Sequence, residues 1–171
     1  MTREADPGDG ALSAVQIAFL IESGTFTAER LAEVSERVAR GDLEARERKT
    51  RQDTIDASLS ANVVAERLGL DIAELRRLRS TGNLYAFRSR GRWRYPCWQF
   101  TDDRRQLLLP HLAFLIASIP VDMHPATVLG FMETPQRSAQ VDGRRVTPGE
   151  WLLRGGDPQV LRDIFEAFLM N

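Results

Sequence analysis

Ser60-Ala-Asn-Val-Val-Ala-Glu-Arg-Leu-Gly-Leu-Asp-Ile-Ala-Glu-Leu-Arg-Arg-Leu-Arg-Ser80 decides how this chain folds. Ser60 is placed to cap a short helix over Ala61–Leu68, and Gly69 follows as a left-handed C-terminal residue. Asp71 then caps a second helix over Ile72–Ser80, which stops before Gly82. Small Ala65 and the turn glycine allow two helices to cross closely. Val64, Leu68, Leu70, Leu75 and Leu78 fall where the pair must bury side chains. The pattern is helix, tight turn, helix.

Working outward, Leu84-Tyr-Ala-Phe87 and Arg92-Trp-Arg-Tyr-Pro96 flank a glycine-containing turn and predict a β-hairpin. Its tip carries Arg88, Arg90, Arg92 and Arg94. A helix-turn-helix followed by a basic hairpin is a winged helix-turn-helix. The second helix of such a module enters the major groove by its N-terminal part, exposing Ile72, Ala73, Arg76, Arg77 and Ser80. Arg76 and Arg77 suit guanine edges or phosphate, while Arg88, Arg90 and Arg92 would follow the backbone. Asp71 and Glu74 lie near the same end and oppose a phosphate.

Charge supports this division. The 171 residues carry a net charge of −1, but residues 1–58 carry −4, residues 59–106 carry +5 and residues 107–171 carry −2. All ten basic residues of the middle segment are arginine. A basic centre between acidic ends points to an anionic partner, with operator DNA the first candidate.

The flanks read differently. Residues 1–10 are polar and acidic and predict a disordered tail, with neither a signal nor a transit peptide. Ala11–Ile21 is apolar enough for a helix, and Gly24 interrupts it. Thr25 or Thr27 can cap the next helix, with Leu31, Val34 and Val38 at helical spacing. Gly41–Asp53 is an exposed helix or a linker, which sets a domain boundary near residue 55. Ala11–Leu43 is the first candidate for a homodimer interface, since one helix-turn-helix reads too short a site for tight binding.

Beyond Thr101, apolar helices are expected over 111–119 and 126–132, bounded by Pro110, Pro120, Pro125 and Pro135. A loop follows at Val141–Arg145. Thr147-Pro-Gly-Glu150 is a capping box opening a helix with Trp151, and Gly155-Gly156 ends it. Asp157-Pro158 starts the last helix. The expected architecture is mainly α: a tail (1–10), a helical segment (11–57), a winged helix-turn-helix (58–106) and a small all-α domain (107–171).

The succession Gly91-Arg-Trp-Arg-Tyr-Pro-Cys-Trp-Gln-Phe100, Leu109-Pro-His-Leu112, Thr134-Pro135, Asp142-Gly-Arg144, Thr147-Pro148 and Trp151-Leu-Leu-Arg-Gly-Gly-Asp-Pro158 resembles the Xre/MbcA/ParS antitoxin family over residues 58–169. The resemblance implies a type II antitoxin whose C-terminal domain blocks a nearby-encoded toxin, of the NAD-consuming RES type, and which represses its own operon as an oligomer. On that reading Trp151, Arg154, Leu161, Phe165, Phe168 and Leu169 bind the partner, while Trp151 and the apolar stripe Leu161, Phe165, Phe168 and Leu169 also suit a buried core. The alternative is a DNA-binding transcriptional regulator without a toxin, its C-terminal domain used for oligomerisation.

Enzyme chemistry finds no support. There is no glycine-rich phosphate loop, nucleophilic serine motif or histidine metal motif. One cysteine excludes an internal disulfide framework and a cysteine zinc site. His111 reads as a partly buried structural residue, His124 as a cap or surface group, and Cys97 as packing. No cofactor or metal is expected, no stretch is long enough to span a bilayer, and the chain reads as cytoplasmic.

Overall fold

The computed structural model describes residues 27–169 together with Ala18. The tail expected over 1–10 and most of the helix expected over 11–21 lie outside the described residues. The chain divides into two compact units between Lys49 and Thr50. In the first, α1 (Ala28–Ala39) is capped by Thr27, whose Oγ1 accepts the Arg30 N–H at 3.2 Å. Gly41, at φ +68°, turns the chain into α2 (Asp42–Asp56). The stretch left open between helix and linker is therefore helix.

The second unit takes in the last turns of α2 from Thr50 and continues with β1 (Ser58–Ser60), α3 (Ala61–Leu68) and α4 (Ile72–Ser80). Local chemistry accounts for both helices. Ser60 Oγ accepts the Val63 N–H, and Asp71 Oδ1 accepts the Glu74 N–H at 2.7 Å. Gly69 sits at φ +66°, while Leu70 N–H reaches back to the Ala65 carbonyl at 2.9 Å. That closes α3 in a left-handed cap.

The wing is β2 (Phe87–Ser89) and β3 (Arg92–Pro96), joined through Arg90 and Gly91 at φ +49° and +75°. Two successive positive φ values match the right-handed strand twist, so pairing shifts towards the turn from the expected 84–87. β1, unforeseen in the sequence, adds to the other side of β3 with Leu59 opposite Tyr95, giving the order β1-β3-β2. After the 3-10 turn Cys97–Gln99 come α5 (Leu112–Ser118), α6 (Pro125–Glu133), β4 (Gln140–Val141), β5 (Arg144–Arg145), α7 (Pro148–Leu153) and α8 (Pro158–Leu169). The expected loop at 141–145 is a small hairpin, because Asp142 and Gly143 repeat the same pair of positive φ values.

One core serves the whole second unit. Val64, Leu75, Leu84 and Tyr95 from the winged module pack in the same cluster as Leu109, Leu115, Val128, Leu152, Leu161 and Phe165. Residues 58–106 and 107–171 are thus joined through shared apolar burial, the main stabilising term available to them. Gln99 is the polar hub of that core. Fully buried, it donates from Nε2 to the Tyr85 and Pro96 carbonyls and accepts the Tyr85 N–H at Oε1.

Several expectations need correction. Leu161 and Phe165 are 0% and 2% exposed, with the Phe165 ring 4.4 Å from that of Phe131, so they hold α8 in the core and offer no partner surface. The side chains of Phe168 and Leu169 lie outside the described residues. His111 is exposed at φ +57°, ahead of α5, and Cys97 is also exposed, so neither is a packing residue. His124 does cap α6, its Nδ1 accepting the Ala126 N–H at 3.2 Å. Trp151 is half-buried. Its Nε1 donates to the Asp157 carbonyl at 2.9 Å, and its ring lies where a Cβ on Gly156 would sit.

Candidate nucleic-acid interface

Ten arginines in the basic middle do not act alike. Arg94 donates to Ser58 Oγ and to the Ile55 and Ser58 carbonyls, clamping the end of α2 to β1. Arg67 donates to the Thr101 carbonyl and pairs with Asp102 at 3.1 Å. Both are structural. Arg77 pairs with Glu74 at 2.7 Å, and this guanidinium holds the Glu74 carboxyl below its ordinary range.

That last contact partly resolves the charge conflict in the sequence. Arg77 neutralises Glu74 locally, while Asp71 gives one oxygen to its cap and keeps its charge, so one of the two opposing carboxylates is offset. It also uses Arg77, leaving Arg76 as the unpaired cation of the first turns of α4.

Arg76, Arg79, Arg88, Arg90 and Arg92 have no carboxylate within ion-pair distance among the described residues. Three of them line a single hollow, and Arg88 approaches a ring that borders it. A hollow of about 380 Å³ between the α3–α4 pair and the wing is lined by Asn62, Ile72, Arg76, Arg79, Arg92 and Trp93. Within it the Arg79 guanidinium lies 3.8 Å from the centroid of the Trp93 ring, and Arg88 approaches the same ring at 5.4 Å. Arg88 and Trp93 are directly opposed in the β2–β3 register, which puts both side chains on one face. The tryptophan therefore joins the last turn of α4 to the wing through two cation–π contacts.

Of the residues expected at the interface, Ile72, Ala73, Arg76, Arg77 and Ser80 are exposed on α4, and Arg88, Arg90 and Arg92 are exposed on the wing. Ser80 turns its hydroxyl back to the Arg77 carbonyl at 2.9 Å. Arg79, Trp93 and Asn62 were missed. The available signal was cross-strand: once Arg90-Gly91 is taken as a two-residue turn, Trp93 must face Arg88.

No family model matches the chain, and no curated protein matches it. Among solved structures, it is similar to one titled "NMR structure of Rv2175c", with 19% identity over 65% of this chain and 80% of that one and a TM-score of 0.45.

Proposed function

We propose that this chain is a DNA-binding regulator that places α4 in the major groove and the wing arginines along the phosphate backbone. The observation that carries the reading is the set of five arginines on α4 and the wing that have no carboxylate partner among the described residues, with Glu74 already paired to Arg77. Arg76 reads a base edge or holds phosphate from the exposed face of α4, whereas Arg88, Arg90 and Arg92 contact phosphates. Trp93, gripped by Arg79, sets the angle between helix and wing. The chain acts as a homodimer, because one module reads too few base pairs for tight specific binding.

The test is binding to the DNA upstream of the chain's own coding sequence, followed by fluorescence anisotropy across a salt series. Arg76→Ala and Arg92→Ala should each weaken binding and flatten the log–log salt dependence by about one unit per lost phosphate contact. Arg77→Ala should also weaken binding, by uncovering the Glu74 carboxylate, whereas removing Arg77 and Glu74 together should do less. Affinity indifferent to salt and to Arg76→Ala would overturn the assignment.

A second reading adds a protein partner, the toxin expected from the family resemblance. With Leu161 and Phe165 in the core, it is favoured by the exposed Leu153 and Arg154 at the end of α7. Co-expression with each neighbouring open reading frame tests it: a complex lost in a Leu153→Asp, Arg154→Glu variant supports the antitoxin role, and no complex leaves the regulator.

A further inference from the structure

We propose that a cleft beside the wing binds a small organic oxyanion, a carboxylate or phosphate ester on a compact apolar body. The cleft, of about 300 Å³, opens among the last turns of α2, the edge strand β2 and the start of α6. That is the lower end of the range for small-molecule sites. Its lining divides by chemistry: Ile55, Phe87 and Pro125 are apolar, while Arg51, Arg88, Arg90 and His124 carry donors.

Register explains the arrangement. Phe87 stands opposite Arg94, whose guanidinium binds the Ile55 carbonyl at 3.0 Å, so this face of the hairpin turns to α2. Arg88 also lines the cleft, although its guanidinium approaches Trp93 at 5.4 Å. Arg51 and Arg90 come from different elements, and neither has a carboxylate within ion-pair distance among the described residues. His124 already accepts the Ala126 N–H at Nδ1, so the neutral ring carries its proton on Nε2, as a donor. Arg90 holds φ +49° at a turn position that glycine or asparagine would occupy more easily. A long cation is kept there at a conformational cost.

A DNA phosphate is the other source of the same chemistry. It has no use for Ile55, Phe87 and Pro125, and Arg51 lies on α2, outside both the helix-turn-helix and the wing. The observations favour a free ligand. Because Arg90 serves both partners, a bound anion would withdraw it from DNA and lower operator affinity; this coupling rests on the DNA-binding reading above.

The experiment is an NMR titration of the full ¹⁵N-labelled chain with phenyl phosphate, inorganic phosphate and phenol. Phenyl phosphate should give saturable shifts at residues 51–55, 87–90 and 124–126. Inorganic phosphate should bind about tenfold more weakly and phenol not at all, since both halves of the site are needed. Arg51→Gln should weaken phenyl phosphate about tenfold yet leave operator affinity within about twofold. No saturable binding, or equal binding of the two phosphates, would overturn the site. If Arg51→Gln weakened DNA as much as the probe, the cleft would be a backbone contact. Phenyl phosphate bound by a chain that binds no DNA would sustain the site and sink the regulator reading. Saturating probe that left operator affinity unchanged would overturn the coupling.

Discussion

Single residues show most directly how stability and function pull apart here. Arg90 occupies a left-handed turn position, at φ +49°, and an L residue there gives up roughly 1 kcal/mol against its preferred conformations. Arg90→Asn should therefore raise the unfolding midpoint while weakening DNA binding and lowering the salt slope by about one. Denaturant melts and anisotropy on the same preparation check both signs. Gln99 is the opposite case, with no role at a surface. Replacing it by leucine takes the partner from the half-buried Tyr85 N–H and carbonyl and from the buried Pro96 carbonyl, a loss of about 3 kcal/mol. Chemical denaturation measures it, and a variant as stable as wild type would show that water replaces the side chain. The caps at Ser60, Gly69 and Asp71 were legible because each acts within four residues of itself. Gln99 and the Arg79–Trp93 pair were not, because their partners lie far away in sequence and meet only after the strands pair.

At the scale of the element, α7 offers a pH test. Glu150 accepts both the N–H and the hydroxyl of Thr147, and these donors hold its carboxyl below the ordinary value of 4.5. A group lowered in the folded state lends stability that is present above the unfolded value and disappears as pH falls through the folded one. Wild type should therefore lose more stability than Glu150→Gln on acidification below 4.5, because glutamine still accepts the N–H but does not titrate. Thermal melts over an acid series follow the difference. The wing shows an element whose existence was legible and whose register was not. Two short runs around a glycine-containing turn suggested strands at 84–87 and 92–96, but the turn chemistry of Arg90-Gly91 pulled pairing to Phe87–Ser89. The short β1 and the β4–β5 hairpin carry too few residues for a period-two pattern to register.

For the whole molecule, the shared core makes a strong statement about cooperativity. Val64, Leu75, Leu84 and Tyr95 belong to one buried cluster with residues of α5 to α8. A fragment ending at residue 106 would expose that surface to water, at about 25 cal/mol for each Å². Residues 50–106 alone should lack a cooperative thermal transition, whereas residues 50–171 should unfold in a single step by circular dichroism. A folded, two-state 50–106 fragment would show that the winged module is independent after all.

Sequence alone determined the helix pair, its caps, the winged hairpin and the concentration of arginine in the middle of the chain. Those features follow from backbone preferences and charge over a few neighbouring residues. Only the tertiary structure decided which arginines are spent on Ser58, Asp102 and Glu74 and which have no carboxylate partner among the described residues. It also decided that Leu161 and Phe165 are core, and that Arg51 meets Arg90 and Phe87 across a cleft. Each of those outcomes depends on groups brought together by packing, and hydrophobic burial carries no record in the local sequence of which partner a side chain will meet.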